Sequence, residues 1–299
     1  MAGLQNYYKL SRLLTNYLYL LPIIAVVLFL FLYPVAFAVY ISFTNFDLYH
    51  LFTYTVIGFR IYEQILTSST FYTLLLNTVI WTVGSLVPMV LVGFVLALIL
   101  NQRDIRGRNV FFTLFLIPWA FPAYISLVIW SGMWNYKYGI INKFLGLLGI
   151  PQINWLNTIP PAWFALILTN LWLSFPYYTA VFLSSLQSIP GELYDIATVD
   201  GASAWQKFTS ITMPMMRSAI AFVSVGGFVF TWNNFYPIYI LTGGGPGIAT
   251  NILIVYMYQE AFSYGYYNIA AAYSVISTII LIIMALIMLR VGRVLEVIT

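Results

Sequence analysis

PGELYDIATVDGASAWQKFTSITMP, residues 190–214, gathers four of the chain's twenty charges, Glu192, Asp195, Asp200 and Lys207, between two long uncharged apolar runs. A polar segment in that setting stands outside an apolar phase and is placed to touch another molecule. Pro190 suits the first turn of a helix, and Glu192 and Asp195 complement its positive end. Asp200-Gly201 marks a break. Beyond it Trp205, Phe208 and Ile211 recur every three residues and Pro214 closes the run, which predicts a second helix with one apolar face. The segment reads as helix, turn, helix.

The rest of the chain sets the phase in which that hairpin is embedded. Of 299 residues 62% are hydrophobic and only 7% charged, with a mean hydropathy of +0.91; soluble domains carry about 25% charged residues. The chain is therefore read as an all-α integral membrane protein. A helical span needs about 20 apolar residues, and six runs qualify: Tyr17–Phe43, Phe71–Leu100, Val110–Trp134, Trp163–Leu186, Ser218–Leu241 and Tyr267–Leu289. They are continuously apolar, not alternating, which argues against a closed barrel. No soluble domain is visible, so residues 1–299 form a single transmembrane domain, with 187–217 as its polar loop. In the connection Asn135–Pro161 an apolar stretch, Ile140–Leu148, predicts a short helix at the outer surface.

Basic residues orient the bundle. With the N-terminus inside, Lys9, Arg12, Arg103, Arg106, Arg108, Lys207, Arg217, Arg290 and Arg293 lie in the cytoplasm, and Arg60, Lys137 and Lys143 lie outside. Both termini and the 187–217 loop are then cytoplasmic in a multi-pass cell-membrane protein. Twelve basic residues form no run or stripe, so the net charge of +4 orients the chain and does not point to nucleic acid. Ala36-Phe37-Ala38 has the form of a signal-peptidase site, but the preceding run exceeds a signal core of about 7–15 residues.

Catalytic constellations are nearly absent. His50 is the single histidine and there is no cysteine, which leaves neither a thiolate nucleophile nor the ligands of a usual zinc site. His50 is read as a polar residue at the outer membrane edge. Gly243-Gly244-Gly245-Pro246-Gly247 lacks the GK[ST] of a phosphate loop and is read as a tight turn. Pumps and proton-coupled carriers keep ionisable groups inside the bundle, and these spans contain none, so the expected cargo is uncharged. Asn77, Asn170, Asn233, Asn234 and Gln187, set among aromatics, suit a sugar, whose hydroxyls want hydrogen bonds and whose C–H faces stack on rings. Each amide taken singly reads equally well as a bridge between helices.

The 190–214 segment resembles the EAA loop of ATP-binding-cassette (ABC) importer permeases. Asp195 stands at the acidic position, Ile196 and Ala197 at the alanine pair, Gly201 at the glycine, and Ile211 to Pro214 at the closing I-x-L-P. Asp195 replaces Glu, and Ile196 adds bulk where the family has alanine. LIPWAFPAYIS (116–126), NLWLSFPYY (170–178), WNNFYPIYILTGGGP (232–246) and YGYYNIAAAYS (264–274) are similar to the sugar-permease branch, particularly the core of the maltose transporter's larger permease subunit. The resemblance implies a six-helix type I importer permease without the large extracellular insertion.

It also implies residue roles. Asn170, Tyr177 and Phe230 keep the family's residue types at its sugar site, and Trp119 replaces a tyrosine there; Ser174, Thr231, Gly227 and Ala123 occupy further site positions with different types. Glu192, Asp195, Ala197, Asp200, Gly201 and Ala202 fall in the loop that couples to the ATPase. The implied partners are a second, different permease, two cytoplasmic ATPases that hold ATP and Mg, and an extracellular solute-binding protein. This chain itself is expected to be neither enzyme nor cofactor carrier. A homodimer of permeases is the runner-up assembly. A secondary carrier or channel for a neutral solute is the alternative function, and a membrane enzyme a more distant one.

The cation asymmetry makes a direct topological prediction. In a chain without native cysteine, Ser203→Cys should resist an impermeant maleimide added to intact cells and react once the membrane is opened. Labelling from outside would invert the orientation.

Overall fold

The computed structural model describes residues 18–102 and 105–291. Lys9, Arg12, Tyr17, Arg103 and Arg293, used above for span limits and orientation, lie outside the described residues. Within them the chain is helical: α1 (Leu18–Ile41), α2 (Arg60–Thr67), α3 (Ser69–Leu100), α4 (Arg108–Ala120), α5 (Ala123–Met133), α6 (Ile140–Leu147), α7 (Pro161–Gln187), α8 (Gly191–Val199), α9 (Ala204–Trp232), α10 (Phe235–Leu241), α11 (Leu253–Tyr258) and α12 (Tyr267–Val291). Five of these, α1, α3, α7, α9 and α12, are long and apolar enough to cross a membrane, and α4 with α5 makes a sixth if the bent pair counts as one span. The short α6 is the helix expected within 140–148.

Two compact units are distinguishable, one formed by the chain up to Leu66 together with Met257–Ile276, the other by Thr67–Tyr256 together with the chain from Ser277 on. In the first, Thr44 and Val56 pair as an antiparallel bridge and close a hairpin after α1. At its tip Asp47 Oδ1 accepts from the Tyr49 and His50 N–H groups at 2.9 and 2.8 Å and meets His50 Nδ1 at 2.8 Å. Burial pushes the Asp47 carboxyl up, but these hydrogen bonds outweigh it and hold the group below its ordinary value. His50 therefore serves the turn.

The second unit is organised on α7, which packs most extensively on α3 and then on α4 and α9. Ser68 caps α3 by accepting from Thr70 N–H at 3.2 Å, and Pro161 opens α7 at a position where its missing N–H costs nothing. One face of α3 is buried yet polar, carrying Asn77, Thr78, Thr82 and Ser85. Thr78 and Thr82 return their hydroxyls to carbonyls one turn back, at 2.7 Å each, which satisfies them without water. Asn77 Nδ2 donates to the Ile248 and Asn251 carbonyls at 3.0 Å each, pinning the glycine-rich turn to α3. At the end of the unit Trp134 Nε1 donates to Thr169 Oγ1 at 2.8 Å, while Trp155 packs on Trp134 with ring centroids 5.1 Å apart.

Three sequence expectations need correction. Val110–Trp134 is not a straight span, because α4 and α5 meet at 88°. Pro122 forces Phe121 into extended backbone (φ −79°, ψ 145°) and ends α4 there, a break to which hydropathy is blind. Ser218–Leu241 is likewise not one helix: α9 stops at Trp232 and α10 restarts at Phe235, with Asn234 at φ −80°, ψ 90°. Pro214 does not end the short helix of the polar loop. The helix runs from Ala204 to Trp232 because residues 208–212 form a π-turn, closed by Met213 N–H to the Phe208 carbonyl. The wider turn accommodates a proline ring that would clash with the carbonyl four residues back in a regular helix.

The α3–α7 contact turns on Gly93, where a Cβ would lie 2.5 Å from Tyr178 Cβ and 3.0 Å from the Thr179 nitrogen. Backbone cannot yield as a flexible side chain would. Gly93→Ala should therefore cost about 1–3 kcal/mol of stability, read as a lowered melting temperature in detergent. Gly132→Ala, with nothing within 4 Å of its added carbon, should not lower it.

Candidate functional site

The bend between α4 and α5, the middle of α7 and the break between α9 and α10 converge on one cavity of about 670 Å³ within the second unit. Pro118 and Pro122 aim Trp119 and Ala123 at it from two sides of the bend. From α7 come Asn170, Ser174 and Tyr177, spaced one and two turns apart on one face. From α9 come Gly227 and Phe230, three residues apart. Thus Trp119, Asn170, Ser174, Tyr177 and Phe230 share one wall system. Thr231 stands one layer behind: it is 1% exposed and its carbonyl accepts from Trp81 Nε1 at 3.1 Å.

The wall has a stacking side and a polar corner. Trp119 and Tyr177 lie with ring centroids 6.2 Å apart and planes inclined by 40°. With Phe230 they offer exposed aromatic faces. In the corner, Asn234 Nδ2 donates to Asn170 Oδ1 at 3.1 Å. Asn170 is 1% exposed, and its Nδ2 is buried without a hydrogen-bond partner. A buried amide donor left unpaired costs about 1–3 kcal/mol. No Asp, Glu, Lys, Arg or His is among the lining residues, which leaves recognition to amides, hydroxyls and rings.

Asn234, one of the amides that the sequence offers for a sugar, lines this wall, as do Tyr178, Phe121 and Tyr236, which the sequence does not single out. The usable signal was the pair Asn233-Asn234 followed by Pro237, a helix break inside an apolar run. Gly227 owes its identity to packing, since a Cβ there would fall 2.5 Å from the Tyr178 hydroxyl and 2.6 Å from Leu86 Cδ1.

The polar loop forms a second feature. Gly201 sits at φ +76°, and Ala202 N–H reaches the Ala197 carbonyl at 2.8 Å, closing α8 in the manner of a glycine C-cap. Ser203 then caps α9 reciprocally: its N–H donates to Gln206 Oε1 at 2.7 Å and its Oγ accepts from Gln206 N–H at 3.3 Å. Lys207 Nζ donates to Thr198 Oγ1 at 2.7 Å and the Tyr194 and Thr212 hydroxyls meet at 2.9 Å, tying the two arms into a stiff elbow. Glu192, Asp195, Asp200 and Gly201 are exposed on it, and Ala197 and Ala202 half-buried. Val199 at 89% and Trp205 at 71% exposure give it an uncovered apolar surface as well.

Comparison with known proteins agrees with this architecture. Residues 89–296 match the family described as binding-protein-dependent transport system inner membrane component, and the chain belongs to that family of multi-pass membrane transport proteins. It is 35% identical over 278 residues to the trehalose/maltose transport system permease protein MalF of Thermococcus litoralis, covering 93% of each chain. It is 36% identical over 279 residues to the galactooligosaccharides transport system permease protein GanP of Bacillus subtilis, covering 89% of this chain and 67% of that one. A chain of a bacterial ABC transporter that imports the acidic polysaccharide alginate shares the fold, with a TM-score of 0.83 at 23% identity over 97% of this chain and 98% of that one.

The amide pair carries a stability prediction. Asn234→Ala removes a donor to Asn170 Oδ1 and should destabilise the chain by about 1–3 kcal/mol, whereas Asn233→Ala, which loses a bond from an exposed side chain to the Val229 carbonyl, should change the melting temperature far less.

Proposed function

We propose that this chain is the membrane permease subunit of an ABC importer for a sugar or sugar-like neutral solute, and that the cavity bounded by Trp119, Asn170, Tyr177 and Phe230 is its half of the solute site. The observation that carries the reading is the uncharged, aromatic cavity with a buried, unpartnered amide donor in its corner. Asn170 Nδ2 would donate to a sugar oxygen, Ser174 and the Tyr177 hydroxyl would bond further hydroxyls, and Trp119 and Phe230 would stack on C–H faces. Thr231 acts from behind the wall, where its carbonyl holds the Trp81 indole. Sugar-transport names among relatives at 35–36% identity point the same way.

The mechanism is gating, without chemistry on the solute. The elbow at residues 187–217 is proposed to receive one of two cytoplasmic ATPases, which hold ATP and Mg. Its acidic positions Glu192, Asp195 and Asp200 and the turn at Gly201 give it shape and charge, and closure of the ATPases pushes it. A solved relative of the same fold forms a complex with an alginate-pentasaccharide-bound periplasmic protein; by analogy an extracellular binding protein delivers solute here. A second, different permease supplies the facing half of the cavity, and switching between outward and inward access is a rigid-body motion of the pair.

Uptake of labelled maltodextrins and galactooligosaccharides by cells or proteoliposomes holding the assembled transporter tests the reading. Transport should stop when ATP is withdrawn while ion gradients are kept, which a secondary carrier would survive. Tyr177→Ala and Asn170→Ala should raise the half-saturation concentration about 5- to 150-fold, the equivalent of 1–3 kcal/mol for one lost stacking platform or buried hydrogen bond, with basal ATP hydrolysis retained. Unchanged half-saturation and maximal rate in both variants would remove these residues from the site.

A further inference from the structure

Leu48, Tyr49 and Phe52 lie on the hairpin between α1 and α2, outside every span, yet are 54%, 78% and 96% exposed. The hairpin is ordered. Beyond the Thr44–Val56 bridge, Asn45 N–H donates to the Thr55 carbonyl at 3.1 Å, and Ile57 N–H donates to the Phe43 carbonyl at 2.8 Å. Single exposed apolar side chains are ordinary; three large ones held together on a fixed turn call for a partner.

Backbone hydrogen bonds fix the level at which they are held. Leu48 N–H donates to the Gly265 carbonyl at 2.9 Å, Asn268 N–H to the Phe46 carbonyl at 3.0 Å, and Asn268 Nδ2 to the Thr44 carbonyl at 3.0 Å. The hairpin thus runs edgewise along the first turn of α12, which begins at Tyr267. Gly265 precedes Tyr267 by two residues, a path of at most about 7 Å. The headgroup layer on each side of a bilayer is itself about 5–7 Å thick. So Leu48 is held close to the first turn of the span and not on a stalk far above it. This seating requires glycine: Gly265 has φ +76°, and a Cβ on it would fall 2.8 Å from Leu48 Cβ.

The surface also adjoins one that the chain leaves uncovered. Along α1, whose most apolar window of 18 residues is unburied within the chain, Phe29 stacks on Tyr33 and Tyr33 on Phe37 with centroids 6.1 and 6.3 Å apart. Phe37 meets Phe46 edge-on at 6.1 Å, and Phe46 meets Tyr54 at 5.1 Å. The aromatic ladder passes from span to hairpin without a gap. We propose that the 44–56 hairpin is an interfacial anchor, with Leu48, Tyr49 and Phe52 inserted into the headgroup and upper acyl region of the bilayer. Amphipathic rings concentrate at that depth, and the Asp47–His50 cap keeps the polar atoms of the turn satisfied there.

The test uses the full-length chain, which has no native cysteine, carrying Phe52→Cys, Tyr49→Cys or Leu48→Cys labelled with an environment-sensitive nitrobenzoxadiazole dye in phosphatidylcholine–phosphatidylglycerol nanodiscs. All three side chains are exposed, so cysteine is expected to leave folding intact. The expected result is blue-shifted emission, strong quenching by lipids bearing a nitroxide high on the acyl chain, and weak quenching by aqueous iodide, relative to a label at Ser203. Adding Gly265→Val should reverse the pattern by unseating the hairpin. Iodide quenching equal to that at Ser203 with no nitroxide effect would overturn the proposal. Shielding that arises only when a solute-binding protein is added would overturn it too, by making the hairpin a protein-docking surface.

Discussion

Everything in the second unit depends on how closely α3 can approach α7. Gly93 removes the side chain that would hold the two backbones apart, and Tyr178 drops into the space. Because lipid offers no hydrophobic drive for helix association, close van der Waals contact has to supply it. Tyr178 then serves a second contact, since its hydroxyl end fills the position over Gly227 on α9. One tyrosine between two glycines thereby sets the spacing of three helices. The cavity lies beside this contact, where Tyr178 and the preceding Tyr177, their rings 5.4 Å apart, both reach its wall.

Polar groups inside this bundle are used economically. Threonine hydroxyls return to their own helices, Trp81 and Trp134 spend their indole N–H groups on other helices, and Asn77 holds the glycine-rich turn through two carbonyls. In a medium without water each such bond prevents a cost of several kcal/mol. Against that background the Nδ2 of Asn170 and the Oγ of Ser85 are buried without a hydrogen-bond partner in the chain.

Much of this was legible in the sequence, and the parts that were not share a cause. Continuous apolar runs locate α1, α3, α7 and α12 to within a few residues because their boundaries coincide with changes in polarity. The breaks after Phe121 and Trp232 were invisible to the same reading, since both sides of each break are equally apolar and only proline and asparagine mark them. Asn170 and Tyr177 could be paired from their spacing of seven on one helix. Asn234 could not be joined to Asn170 because that contact spans 64 positions and exists only through the α9–α10 break. The role of Pro214 was misread for a related reason: a proline stops a regular helix, but nothing local in the sequence announces that the preceding turn is widened to admit it.

The widened turn at 208–212 has a mechanical consequence. It leaves α9 a single rod of 29 residues running from the elbow to the cavity wall. At 1.5 Å per residue that rod is about 44 Å long, so a tilt of about 5° at its foot carries its far end through roughly 4 Å. Phe230 rides near that far end. A loop-to-span joint would dissipate such a displacement as local bending, whereas a continuous helix would carry a tilt of its foot to the wall of the cavity.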